Sequence, residues 1–186
     1  EVLKLGLPAV QFKNAIISIH NASNQTLHLH QDVVKETFSI KFNCAPEHYE
    51  STHSKSHQFI VRYYDEKRVL LTTITENRYL RLSLHCQGQP CLCSTRNKEE
   101  ALVLTMIDVD KLLPGYAGHY NDKDQQHRYN AARGIYVLFL CEFAGQQWIL
   151  RHRASDRRII MMKYEGINKI NLNHQLFKIT HTVFDN

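Results

Sequence analysis

The segments Leu27-His28-Leu29-His30 and Thr37-Phe38-Ser39-Ile40-Lys41-Phe42 place an apolar side chain at every second position. Successive residues of an extended chain point to opposite faces, so this period of two reads as a pair of half-buried β-strands. The same style continues outward in both directions. Ala15-Ile16-Ile17-Ser18-Ile19 precedes the pair. Gln58-Phe59-Ile60-Val61-Arg62-Tyr63, Val69-Leu70-Leu71-Thr72-Thr73-Ile74 and Tyr79-Leu80-Arg81-Leu82-Ser83-Leu84 follow it. The second half adds residues 101–107, 135–143, Trp148-Ile149-Leu150, 158–162 and 175–180. About a dozen short strands with no sustained helical period indicate an all-β sandwich or barrel.

Three stretches repeat one pattern, a short strand followed later by an apolar-x-apolar strand. Leu27-His28-Leu29 leads to Phe38-Ser39-Ile40, Tyr79-Leu80-Arg81-Leu82 to Leu102-Val103-Leu104, and Trp148-Ile149-Leu150 to Phe177-Lys178-Ile179. Three copies imply pseudo-threefold symmetry, each unit covering part of a core that it cannot build alone. The expected fold is therefore an all-β β-trefoil of about twelve strands. It would form one domain over residues 1–186, with 1–12 flexible. Two polar stretches, 48–57 and 113–133, read as loops. The second is long for a compact domain, and Tyr116, His119, Tyr120, His127, Arg128 and Tyr129 make it a candidate binding surface.

Composition narrows the classes. The 186 residues include seven Gly and four Pro and are 43% hydrophobic, which excludes collagen-like and low-complexity chains. The formal net charge of +5 favours acidic partners. No run of five Lys or Arg exists, so nucleic acid is not expected, and no apolar stretch approaches 18 residues, so membrane insertion is not expected either. The N-terminal residues lack the order of a secretory signal, and five Cys without a Cys-x-x-Cys pair suggest a leaderless chain made in a reducing compartment. The sequons at Asn21 and Asn24 carry little weight.

The segment Arg151-His152-Arg153-Ala154-Ser155-Asp156-Arg157-Arg158 holds four Arg in eight positions. Guanidinium groups present a planar fork suited to carboxylates and sulfates, so Arg151, His152, Arg153, Asp156, Arg157 and Arg158 are the expected partner-binding residues. Asp65-Glu66-Lys67-Arg68 reads as a structural hairpin turn. Between His85 and Cys93 lie four soft ligands. Their spacing does not match paired zinc ligands, and a Cys86–Cys91 disulfide or simple core packing are the alternatives. No nucleophile elbow, phosphate loop or paired-acid frame is present, so no catalytic residue, metal or cofactor is expected, and the chain is not read as an enzyme.

Residues 27–32 with 37–42 resemble the early strands of the interleukin-1 cytokine family. Phe139-Leu140-Cys141-Glu142-Phe143-Ala144 followed by Gln146-Gln147-Trp148-Ile149-Leu150 is similar to that family's late motif, with its order shifted. Residues 15–27 look like the opening hairpin of the interleukin-18 branch. The resemblance implies a monomeric signalling ligand, cytoplasmic before release and then extracellular, that binds an immunoglobulin-type cell-surface receptor, with heparan sulfate as a further polyanionic partner. The alternative is a β-trefoil binding module of another class, a heparin-binding growth factor or an actin- or glycan-binding domain. Ricin-type lectins need Q-x-W repeats, and Gln146-Gln147-Trp148 supplies at most one, which disfavours that branch.

Overall fold

The structure is a computed structural model that describes residues 2–43, 55–84, 86, 88–113 and 134–181. The candidate surface at 116–129, and all of the 48–57 loop except 55–57, lie outside the described residues. Among the described residues there are twelve strands: β1 (Ile16–His20), β2 (Leu27–Asp32), β3 (Thr37–Phe42), β4 (Phe59–Tyr63), β5 (Val69–Thr73), β6 (Tyr79–Ser83), β7 (Cys91–Thr95), β8 (Thr105–Asp108), β9 (Ile135–Phe143), β10 (Gln146–Arg153), β11 (Arg158–Lys163) and β12 (Phe177–His181). The α-helices among the described residues, α1 (Val109–Leu112) and α2 (Leu172–Gln175), are single turns.

Six strands close into a barrel. β1 pairs with β4, β4 with β5, β8 with β9, β9 with β12, and β12 with β1, all antiparallel. The circle closes between β5 and the entry to β8. There Val69 and Leu104 exchange N–H···O bonds of 2.8 and 2.9 Å. Closure leaves the barrel no exposed edge. The other six strands form three hairpins, β2–β3, β6–β7 and β10–β11. These meet one another in a ring: β7 pairs with β11 at Cys91 and Ile160, and β3 packs against both.

Period two explains the barrel interior. Each barrel strand sends two alternate residues inward: Ile17 and Ile19, Phe59 and Val61, Val69 and Leu71, Leu104 and Met106, Val137 and Phe139, Phe177 and Ile179. The hairpins add Leu27, Leu29, Ile40, Phe42, Leu80, Leu92, Leu150, Ile159 and Met161 to the same core. Phe177 joins the two layers, its ring stacked 6.1 Å from Phe42 and tilted 5.4 Å from Phe139. Each such side chain contributes roughly 1.5–3 kcal/mol of burial.

The threefold expectation holds with one change of register. Leu27, Tyr79 and Trp148 all lie in the first strand of a hairpin. Phe38-Ser39-Ile40, however, is the return strand of the first hairpin, and the true counterpart of the entry to β8 and of Phe177-Lys178-Ile179 is Phe59-Ile60-Val61 in β4. β7 was not among the expected strands; it begins at Cys91, in the segment weighed above for its soft ligands.

Residues 2–12 are not a flexible tail. Two 3-10 turns, Val2–Leu5 and Ala9–Phe12, carry Leu7, Ala9 and Phe12 into the main core. The backbone N–H groups of Leu7, Ala9 and Asn14 donate to Met106, Glu66 and Val61 at 2.8–2.9 Å. A second, smaller core lies outside the barrel. The five-residue run Val137 to Cys141 is buried at every position, which alternation alone does not produce. Its outward residues Leu138 and Leu140 meet Ile107, Val109 and Ile149 and are covered by Val2, Tyr164, Ile170, Leu172 and Leu176. The chain between β11 and β12 is thereby pulled against the outer face of the third hairpin.

Candidate functional site

The Arg-rich segment is mostly strand. Arg151, His152 and Arg153 end β10, Arg158 opens β11, and only residues 154–157 turn, with Arg157 at φ 61°. Alternation turns His152 inward, where it is 8% exposed, 4.8 Å edge-on to the Phe42 ring and 3.4 Å from the Asn21 amide. Burial, and then the nearby His174, hold its pKa below the ordinary value. This imidazole is a packing group and offers no surface to a partner.

Asp156 accepts two bonds from Arg153, from Nε at 3.0 Å and Nη2 at 2.7 Å, and lies 3.9 Å from Arg158 Nε. Hydrogen bonding to Arg153 first, aided by the Arg158 backbone N–H, holds the Asp156 carboxyl below the usual carboxylate range. The same contact raises Arg153. Arg157 donates from Nη1 to the Phe42 carbonyl at 3.0 Å and receives the Phe42 N–H on its own carbonyl at 2.8 Å. Arg158 Nη1 approaches Cys91 Sγ at 3.8 Å. His152, Arg157 and Arg158 therefore tie the third hairpin to the first and second, while Arg153 and Asp156 pair within its own turn.

Arg151 is the exception. With Ile149 it lies on the opposite face of β10, and both line a cavity of about 270 Å3 whose other walls include Met162, Lys163, Tyr164, Glu165, Lys169, Asn171 and Gln175. Ile149 and Met162 face each other across the β10–β11 ladder and supply apolar surface. Met162 and Lys163 end β11, and the remaining walls come from the chain between β11 and β12. Gly166, at φ 106°, reverses this chain at an angle that L side chains rarely adopt, and the 3-10 turn Ile167–Lys169 follows. Sequence reasoning missed Lys163, Lys169, Asn171 and Gln175. No local motif marks them. Lys163 ends β11 in the same hairpin, whereas Lys169, Asn171 and Gln175 come near Arg151 because Ile170, Leu172 and Leu176 anchor their segment on the second core.

A larger hollow of about 510 Å3 beside the β4–β5 turn has its cations engaged. Arg68 pairs with Asp65 at 2.6 Å and Lys67 Nζ donates to the Gly6 carbonyl at 2.8 Å. The Asp65–Arg68 turn is structural, as expected. Cys86 and Cys91 form a disulfide, which settles one of the alternatives at the 85–93 segment. Among the described residues no group of three His, Cys, Asp or Glu is placed to hold a metal. Burial pushes the Cys141 thiol up to about 12, so it is an inert core group. Asn21 is 5% exposed, and its side chain bonds to Gln25 and to the N–H groups of Ser23 and Gln25, so its sequon is closed in the folded chain.

No sequence-family profile and no curated protein matches the chain. Solved structures do. The Macrolepiota procera ricin B-like lectin in complex with lactose superposes with a TM-score of 0.55 at 10% identity, covering 91% of this chain and 97% of the lectin. The designed threefold-symmetric protein ThreeFoil gives 0.53 at 9% identity over 89% and 97%. The Rhizoctonia solani agglutinin gives 0.52 at 14% over 90% and 95%. The fold is a β-trefoil. In this β-trefoil the single Q-x-W element has a local role: Trp148 is half-buried against the main core and donates from Nε1 to the Phe143 carbonyl at 3.0 Å.

Proposed function

We propose that this β-trefoil is a glycan-binding module that acts by binding and carries out no chemistry. The observation that carries the reading is the third-repeat cleft. It sets hydrogen-bonding side chains around an apolar base formed by Ile149 and Met162, the combination by which small polar ligands are held. The likeness to one lectin in complex with lactose and to one agglutinin supports it. The receptor-binding role implied by the cytokine resemblance draws no support from these neighbours. Its expected contact residues are, apart from Arg151, engaged within the fold: His152, Arg157 and Arg158 with the other hairpins, Arg153 and Asp156 with each other.

The test is a glycan array probed with the full chain, followed by calorimetric titration of the best ligands. The reading expects at least one saccharide class to bind, with affinity lost on replacing Arg151. A flat array with no heat of binding at millimolar saccharide would discard it.

A further inference from the structure

We infer that the third-repeat cleft takes an anionic saccharide, one bearing a sulfate ester or a carboxylate, held by Arg151, Lys163 and Lys169. This rests on the glycan-binding reading and names the ligand class for the same site.

Charge is the first argument. Three cations and one carboxylate, Glu165, line the cavity, and none of the four enters an ion pair with a described residue. The contrast with residues 153–158 is direct, since there every cation has an internal partner. Like charges gathered at a concavity with an apolar base raise the local positive potential, which an incoming anion relieves. The Arg151 guanidinium adds a planar fork that matches two oxygens of one sulfate or carboxylate.

Donor polarity is the second and independent argument. Gln175 Oε1 accepts from the Asn171 N–H at 2.6 Å, and Asn171 Oδ1 accepts from the Asn173 N–H at 3.1 Å. Both amide oxygens are thus used in shaping the turn, while the amide NH2 groups take no part in these bonds. What the cleft has to offer is a guanidinium, two ammoniums and two amide donors. A ligand rich in acceptors fits this set; an uncharged sugar, which must donate as well as accept, finds Glu165 as the one anionic acceptor among the lining side chains.

The experiment is calorimetric titration of the full chain with four probes: a fully sulfated heparin-derived tetrasaccharide, its desulfated and carboxyl-reduced counterpart, lactose, and inorganic sulfate. We expect the sulfated probe to bind at least tenfold more tightly than each of the others, and its affinity to fall as salt rises from 50 to 300 mM. The double substitution Arg151→Gln/Lys169→Gln should cost at least tenfold with an unchanged melting temperature, and Lys98→Gln on the distant β7–β8 connection should cost nothing. If the double variant does not fold, the exposed Lys163→Gln alone should still lower affinity by threefold or more. Equal binding of the uncharged counterpart or of lactose overturns the inference and leaves the glycan reading standing. Inorganic sulfate binding as tightly as the tetrasaccharide overturns it as well, the cleft then being a simple anion site. No binding of any saccharide, here or on the array, overturns both.

Discussion

Acid should unfold this protein early, through two histidines in the first repeat. His20 is mostly buried between Thr180 Oγ1, 3.0 Å from Nε2, and Thr26 Oγ1, 3.2 Å from Nδ1. His28 is 2% exposed, with Nδ1 3.1 Å from Ser56 Oγ and its ring 5.5 Å from that of His57 and 6.0 Å from that of His30. Burial lowers both pKa values, His20 to about 4 with Lys178 and His57 adding repulsion, and His28 to about 3 with His57, His30 and His20 adding theirs. Below pH 6.5 the unfolded chain gains a proton on each ring that the folded chain refuses. Stability therefore falls as pH drops from 6.5, and each loss levels off only once its folded-state ring also protonates, near pH 4 and pH 3. At pH 5 each ring costs about 2 kcal/mol relative to pH 7, about 4 kcal/mol together. For a domain of this size that is a melting temperature lower by roughly 8–16 °C. The assay is scanning calorimetry at pH 7 and pH 5 on the chain and on a His20→Gln/His28→Gln variant. Asp65 and Asp156, whose pKa values are lowered, lose their stabilising charge below the ordinary carboxylate range, outside this window. The reasoning fails if the unsubstituted chain melts at the same temperature at both pH values, or if the variant shows an equal drop.

Three further outcomes are expected. Phe177→Ala, which empties the contact between barrel and hairpins, should cost about 3–5 kcal/mol in denaturant unfolding, and the half-buried Trp148→Ala should cost less. Removal of residues 1–12 should lower the melting temperature by more than 10 °C, because it uncovers Phe59, Val61 and Met106; an unchanged value would mean that the segment is a dispensable tail. Asp156→Ala should cost about 1 kcal/mol, since the carboxylate is 36% exposed and partly screened. It should leave saccharide affinity unaltered, because Arg151 and not Arg153 faces the cleft.

Strand positions were legible because alternation is a local property: Phe59-Ile60-Val61 or Leu80-Arg81-Leu82 shows its inward face without knowledge of any partner. β7 was not, since a strand made of Cys, Leu, Ser and Thr takes its stability from neighbours on either side, β6 and β11. The Arg-rich segment was legible as composition, and composition does not say which way a side chain points. Along β10 a single step decides whether an arginine meets solvent and the cleft, as Arg151 does, or whether a histidine meets Phe42, as His152 does.

By itself, then, the chain's order of residues determined an all-β domain with threefold repetition, because those depend on periods of two and on recurrence along the chain. Barrel closure, the burial of residues 2–12 and the gathering of Arg151, Lys163, Lys169, Asn171 and Gln175 around one cavity were decided by tertiary structure. Each joins groups far apart in sequence through a shared hydrophobic surface, and that surface exists only once the strands have packed.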